Sequence, residues 1–298
     1  MELGVGGPGS SKTVPRRRGV VAGPSISVVM TTWNAERHVA EAVRSIQAQT
    51  LADWELVVVD DGSTDKTVDL LAGFAAADPR IRLLRIPRCG RIASLNHGFR
   101  AARAPLIANL DADDVSLPHR LEASVAALAA HPDWALVGAG VVPLIDEAGK
   151  VLGQRVRPTE PEAVRRALAH SMCLFHSSVT YRRTAWEEAG GFDESLAILE
   201  DYDLWVRLAA RHPIANLPEA LGLKRRHAGQ SFDAGHWSNR GYRTRARILG
   251  RYFRSVRHDP RVLARAAAYQ VMGPRLRLAW IRLTGRDPLE LRLQEQGL

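Results

Sequence analysis

The sequence predicts an α/β fold: a mainly parallel, mixed sheet flanked by helices, followed by a basic helical C-terminal extension. Three observations predict it. Short apolar runs rich in β-branched residues alternate with stretches of helical spacing. Runs such as Leu56-Val-Val-Val59 are nearly continuous in apolar character, as strands covered on both faces must be. The alternation itself implies right-handed crossovers and parallel neighbours.

Residues 1–24 are rich in Gly, Ser and Pro and carry Arg16-Arg-Arg18, so they are expected to be a flexible leader that buries little apolar surface. Ile26–Met30 reads as the first strand and Thr31-Thr-Trp-Asn34 as its loop. A helix follows from Ala35 to Gln49, with Val39, Val43 and Ile46 on one face. Leu56–Val59 is the second strand and ends in Asp60-Asp-Gly-Ser-Thr-Asp65. Helical spacing resumes from Lys66 to Ala77 through Val68, Leu71 and Phe74. Ile81–Ile86 reads as a strand, Ile92–Ala102 as a helix, and Leu106–Ala108 as a strand running into Asn109-Leu-Asp-Ala-Asp-Asp114. Pro118 opens a helix to Ala130. Trp134–Val142 is a further strand, with a turn at 145–151, and Val179–Tyr181 another. Leu204, Trp205 and Leu208 mark a helix over Tyr202–Ala210, with Glu200 and Asp201 at its N-terminus, where the helix dipole favours an ionised carboxylate.

The chain has 298 residues, enough for a sizeable core, and its 46% hydrophobic and 24% charged content is ordinary for a globular protein. Cys89 and Cys173 show no metal-ligand spacing and no disulfide framework, which suits a reducing compartment. No apolar run reaches membrane-spanning length, and the first residues lack the apolar core of a signal peptide, so cytoplasmic residence is expected. The net charge of +9 sits in the tail. From Gly235 onward fourteen arginines face four acids, leaving the body before it near neutral.

Ligands of open parallel sheets bind beyond the carboxyl ends of the strands. The polar loops at those ends are Thr31–Asn34, Asp60–Asp65 and Asp111–Asp114. Three carboxylates in four residues at a strand mouth are costly unless a cation offsets them, and a hard divalent ion such as magnesium or manganese fits oxygen ligands. The alternative is that Asp113 and Asp114 cap the following helix. Asp60-Asp-Gly-Ser carries neither a dinucleotide glycine pattern nor a P-loop lysine. Its carboxylates suit base N–H or ribose hydroxyl groups, with Trp33 against a base; otherwise the segment is a plain strand-to-helix turn.

The ordered motifs Ser27-Val-Val-Met-Thr-Thr-Trp-Asn34, Val59-Asp-Asp-Gly-Ser-Thr-Asp65, Leu95-Asn-His-Gly98, Asp111-Ala-Asp-Asp114, Gly190-Gly-Phe-Asp193 and Glu200-Asp-Tyr-Asp-Leu-Trp205 resemble glycosyltransferase family 2 over about residues 25–232. The resemblance implies a GT-A fold, Rossmann-like and nucleotide-binding, over residues 25–234, with the Arg-rich extension over 235–298. It implies an inverting, metal-dependent transfer of sugar from a nucleoside-diphosphate sugar, with a UDP-sugar the expected donor, to a hydroxyl acceptor in polysaccharide or glycolipid synthesis. By the same resemblance Thr31, Trp33, Asp60 and Asp61 hold the base and ribose, Arg91 (or Arg88) approaches the nucleotide, and Asp111 contacts ribose. Asp113 binds the metal and Asp201 is the catalytic base. Asp114 and Glu200 support them, and His176 lines the donor-sugar pocket or is a satisfied structural histidine. Leu223-Lys-Arg-Arg-His-Ala-Gly-Gln-Ser231 resembles the family's terminal Arg-x-His segment, so His227 reaches the metal or diphosphate.

In the tail, arginines interleave with apolar residues. That pattern suits packing on the body, a dimer contact, or an anionic membrane surface, where a lipid-linked acceptor would lie. No nucleic-acid reading motif accompanies it, so nucleic acid is not an expected partner. Two rival functions remain: a nucleotidyltransferase on a related fold, which lacks its basic triphosphate loop here, and a non-catalytic adaptor working through the basic tail.

Overall fold

The computed structural model describes residues 23–168 and 171–227, with residues 244, 245, 247, 248 and 250 beyond them. The leader expected over 1–24 lies almost wholly outside the described residues, as does most of the 235–298 extension. The first half alternates as expected: β1 (Ile26–Thr32), α1 (Val39–Gln47), β2 (Trp54–Asp61), α2 (Thr67–Ala77), β3 (Ile81–Ile86), α3 (Arg91–Ala101) and β4 (Leu106–Asn109). Then come β5 (Val115–Ser116), α4 (Arg120–Ala130), β6 (Leu136–Ile145), β7 (Val151–Val156), α5 (Pro161–Leu168) and a single 3-10 turn at His176–Ser178. The last described elements in regular order are β8 (Thr180–Arg182), α6 (Arg183–Glu188), α7 (Glu200–Ala209), β9 (Ile214–Ala220) and β10 (Gly222–Arg225).

The strands form one sheet in the order β3-β2-β1-β4-β8-β6-β10-β5, with β7 and β9 also paired to β6. The pairs β3–β2, β2–β1 and β1–β4 are parallel, whereas β4–β8 and β8–β6 are antiparallel. The chain moves outward from β1 to β3 and then returns to the other side of β1 with β4. That reversal leaves a crevice at the carboxyl ends of β1 and β4, the place where such sheets bind ligands.

Alternation along β1 and β2 divides the core. Val29, Val57 and Val59 face one layer with Phe99 and Trp205, while Val28, Met30, Leu56 and Val58 face the other with α1 and Leu71. At Gly98 a Cβ would sit 2.4 Å from Val29 Cγ1, so only glycine lets α3 press this closely on β1. The glycine of the Leu95-Asn-His-Gly98 motif therefore serves packing.

Most elements begin and end within two residues of expectation, but α1 starts at Val39 and not Ala35. The amides of Asn34, Ala35 and Glu36 are taken by Ser63 Oγ, Thr67 Oγ1 and Asp65 Oδ2. Side chains from Ser63 to Thr67 thus hold this turn against the second loop ahead of the helix. The sequence reading assigns no element to β5, α5, α6, β9 or β10; β9 and β10 are held by pairing with β6, β5 by pairing with β10, and α5 and α6 pack on β9 and β8.

Candidate active site

The first two loops are bolted together. Asp60 accepts hydrogen bonds from Thr32 Oγ1 (3.2 Å) and from Ser63 N and Oγ (3.1 and 2.5 Å). Asn34 Oδ1 accepts from Thr64 N at 2.8 Å. Asp60 is buried, and this web shapes the loop from within. Asp61, also buried, faces the β3–α3 loop: Cys89 N and Gly90 N donate to it at 2.7 and 3.0 Å, and Arg88 Nη1 at 2.8 Å. The Arg88 guanidinium also lies 3.8 Å over the ring of Trp33, whose surface is 52% exposed. Thr31, buried at the end of β1, completes this corner.

Asp111, Asp113 and Asp114 follow β4 and bring carboxylate oxygens within 4.8 Å of one another. They are not equivalent. Asp114 is buried, accepting from Ser177 Oγ at 2.5 Å and from Arg225 N at 2.9 Å. Burial and the neighbouring Asp113 push its pKa up to about 8. Asp113 is more open, and His227 Nε2 lies 3.0 Å from its Oδ2. Carboxylates with one imidazole are a donor set that suits manganese or magnesium, so the residues fit a divalent cation. Asp114, with both oxygens occupied, stands behind Asp113.

Arg225 carries His227 to this place. Its guanidinium is buried and donates to Asp113 O (2.9 Å), to Asp146 O and Glu147 O (3.0 Å each) and to Glu41 Oε2 (2.6 Å). The ring of His38, just before α1, lies 5.2 Å from that of His227.

On the other wall, Leu199 in left-handed backbone (φ 67°) precedes α7 and swings Glu200 and Asp201 toward the acid cluster. Arg207 pins α7 through Asp203, Ala189 O and Gly191 O. Asn96 clasps Phe192 through N–H and carbonyl at 3.0 and 2.9 Å, which explains why the Leu95-Asn-His-Gly98 and Gly190-Gly-Phe-Asp193 motifs occur together. Arg91, at the start of α3, bridges the walls: Nη2 donates to Asp111 Oδ1 at 2.7 Å and Nε to Glu200 Oε1 at 3.0 Å. Burial opposes ionisation of Asp111, but Arg91 beside it holds its pKa below the ordinary value. His176 lies between Asp111 (3.9 Å) and Asp201 (3.7 Å).

The expectation that the helix N-terminus favours ionised Asp201 is not met. Tyr202 N does donate to Asp201 Oδ1 at 2.7 Å, yet burial and the adjacent Glu200 outweigh it and push the pKa up to about 7. A carboxylate titrating there is matched to proton transfer near neutral pH.

Every residue singled out from the sequence thus lies at or beside one crevice. Arg225, Ser177, Asn96 and His38 were not singled out. Arg225 and Asn96 had a sequence signal, the Arg-x-His spacing and the Leu95-Asn-His-Gly98 motif; Ser177 and His38 depend on contacts between distant segments.

The glycosyl transferase family 2 model matches residues 27–190. The chain is 38% identical over 190 residues to the putative glycosyltransferase EpsE of Bacillus subtilis (strain 168), spanning 62% of this chain and 67% of that protein. It is 30% identical over 199 residues to the amylovoran biosynthesis glycosyltransferase AmsE of Erwinia amylovora, 65% and 74% of the two chains. Among solved structures, S. aureus TarS 1-349 in complex with UDP-GlcNAc superposes with a TM-score of 0.65 at 19% identity, covering 82% of this chain and 72% of that one. The mannosyltransferase PcManGT from Pyrobaculum calidifontis, in complex with GDP-Man and Mn2+, does so with a TM-score of 0.62 at 20% identity, 93% and 80%. These structures share the GT-A fold with the chain. With a match over more than half its length, the chain belongs to glycosyltransferase family 2 and is an enzyme that transfers sugars.

Proposed function

We propose that the protein is an inverting, metal-dependent glycosyltransferase that moves a sugar from a nucleoside-diphosphate sugar to an acceptor hydroxyl. The observation that carries this reading is the convergence of Asp201 and the Asp111–Asp113 acids on one crevice, tied by Arg91. Thr31, Trp33 and Asp61 hold the base and ribose, with Arg88 able to yield Trp33 or Asp61 to them. Asp60 keeps that loop in shape, and Asp111 contacts ribose. Asp113 and His227 would hold the divalent cation, manganese or magnesium, and Asp114 steadies Asp113 from behind. When bound, the cation offsets charge on the departing diphosphate. Asp201, on the opposite wall, accepts the proton of the acceptor hydroxyl as it attacks the anomeric carbon, and the Arg91–Glu200 ion pair fixes the start of the helix that carries it.

A UDP-sugar is the expected donor, in line with the UDP-GlcNAc in the complex of S. aureus TarS; the GDP-Man of PcManGT makes guanine the alternative base. The relatives named for amylovoran and O-antigen biosynthesis support a role in cell-surface polysaccharide or glycolipid synthesis. We place the enzyme in the cytoplasm, with the remainder of the Arg-rich extension touching the inner membrane surface where lipid-linked acceptors lie. The described part of that extension packs on the body: Arg245 lies 4.9 Å over Tyr202, and Ile248 is in the core. No helix among the described residues is long and apolar enough to cross a membrane.

Calorimetric titration with UDP, GDP, ADP and CDP, each with and without manganese, tests the reading. Manganese-dependent binding of one of them is expected. Absence of binding by a folded protein would overturn the donor site and favour the adaptor reading.

A further inference from the structure

The imidazole of His176, expected from the sequence to line the donor-sugar pocket or to be a satisfied structural group, occupies the space between the two walls. We propose that His176 is a positioning residue: its Nδ1–H aligns the Asp201 carboxylate for attack while its Nε2 accepts a hydrogen bond from a hydroxyl of the bound donor. The inference rests on the reading of Asp201 as the base and adds to it a coupling between donor and base.

The ring is held rigidly. Ser177 Oγ ties the turn to Asp114 and accepts from Asp111 N (3.1 Å), and Ser178 Oγ donates to Phe175 O (2.8 Å) and accepts from Ala139 N (3.1 Å). Only 7% of the His176 side chain is exposed. Its Nδ1 is a buried nitrogen without a hydrogen-bond partner among the described residues, and it points to Asp201 Oδ2 at 3.7 Å. Buried polar atoms are rarely left this way unless a working state supplies the bond, and catalytic hydrogen bonds are commonly long before substrates arrive.

Asp201 Oδ1 is already engaged by Tyr202 N, so Oδ2 is the oxygen whose direction the imidazole can set. An Nδ1–H tautomer faces that carboxylate favourably. It also turns the Nε2 lone pair toward Asp111 Oδ1 at 3.9 Å, an oxygen already receiving Arg91. Two acceptors then face one another, an arrangement that a donor hydroxyl relieves. The charged groups around the ring are Asp111, Glu200 and Asp201 on one account and Arg91 and Lys224 on the other. Burial lowers the ring's pKa to about 4, in keeping with a neutral imidazole that exchanges hydrogen bonds and not protons.

The consequence is that a bound donor selects the tautomer that aligns the base. The test compares His176→Asn, whose amide nitrogen falls where Nδ1 was, with His176→Gln, whose amide falls at Nε2, and with His176→Leu. Transfer to water and to an acceptor panel is measured from UDP-glucose, UDP-N-acetylglucosamine and GDP-mannose with manganese. His176→Asn should keep kcat within about tenfold while the donor KM rises. His176→Gln and His176→Leu should lose about 100-fold in kcat, the scale of a misaligned catalytic group. Equal kcat losses in the Asn and Gln variants, or no loss in any, would overturn the proposal. Nitrogen-15 NMR of the histidines with magnesium and whichever of those three sugar nucleotides binds, with His176 identified from the Asn variant and no acceptor added, reads the tautomer apart from transfer: a proton on Nδ1 is expected, and one on Nε2 overturns it. Asp201→Asn, measured alongside, separates failure of the coupling from failure of the base assignment.

Discussion

Replacing Arg225 by Met should damage both stability and metal affinity, because one guanidinium serves both. Three backbone carbonyls, those of Asp113, Asp146 and Glu147, lose a charged donor at 2.9 to 3.0 Å, and the side chain is 1% exposed. Each such bond contributes about 1.5 kcal/mol net. Glu41, 53% exposed in its side chain, adds only a few tenths because solvent screens it. The expected loss is about 5 kcal/mol. With an m-value of about 3 kcal/mol per M, the urea midpoint falls by about 1.7 M. His227 lies two residues on and is held at Asp113 by the same anchor, so manganese affinity measured with saturating nucleotide should fall at least tenfold. Arg225→Lys keeps the charge but not the fork and should recover only part of either loss. A stability change under 1 kcal/mol, or unchanged manganese affinity, would refute the argument that Arg225 positions the segment.

Asp201→Asn should cut transfer by about 10³-fold while nucleotide binding survives, since a general base is worth about 10² to 10⁴; retained turnover would remove Asp201 from the role. Because the base works ionised and its pKa is pushed up to about 7, kcat/KM should rise with pH through about 7 and fall tenfold per unit below it, and a flat profile from pH 5 to 8 would contradict this. Asp113→Ala should abolish manganese-dependent donor binding in calorimetry, whereas unaltered manganese dependence would exclude it as a ligand. For His176, whose folded pKa of about 4 lies below the usual 6.5, the stability it confers is full above pH 6.5 and is lost as pH falls toward 4. The change is about 3 kcal/mol in urea unfolding, and His176→Leu should flatten that part of the stability curve. Truncation after Gly250, which keeps the packed Arg245 and Ile248, should release the protein from anionic liposomes, and unchanged co-sedimentation would reject membrane contact by the extension.

The sequence by itself determined the layers of the fold and the loops that carry its chemistry. Strand and helix periodicity are local properties, so Leu56–Val59, Ile81–Ile86 and the helix after Glu200 were legible from residue order, and the parallel connection of β1, β2 and β3 followed from their alternation with helices. The Asp-rich loops were legible because carboxylates at strand ends demand compensation. Tertiary structure alone decided how those acids differ. Asp60 and Asp61 are neighbours in the chain, but Asp60 turns inward to Thr32 and Ser63 whereas Asp61 turns to Arg88 and Gly90. Asp113 and Asp114 part in the same way, because Ser177 and the Arg225 amide arrive from segments more than sixty residues distant to bind the carboxylate of the second. Asp201 shows the limit most plainly. Its position at a helix start argued for easy ionisation, but burial beside Glu200 reverses the sign, since desolvation depends on what the whole chain packs around a carboxylate and no local pattern encodes it.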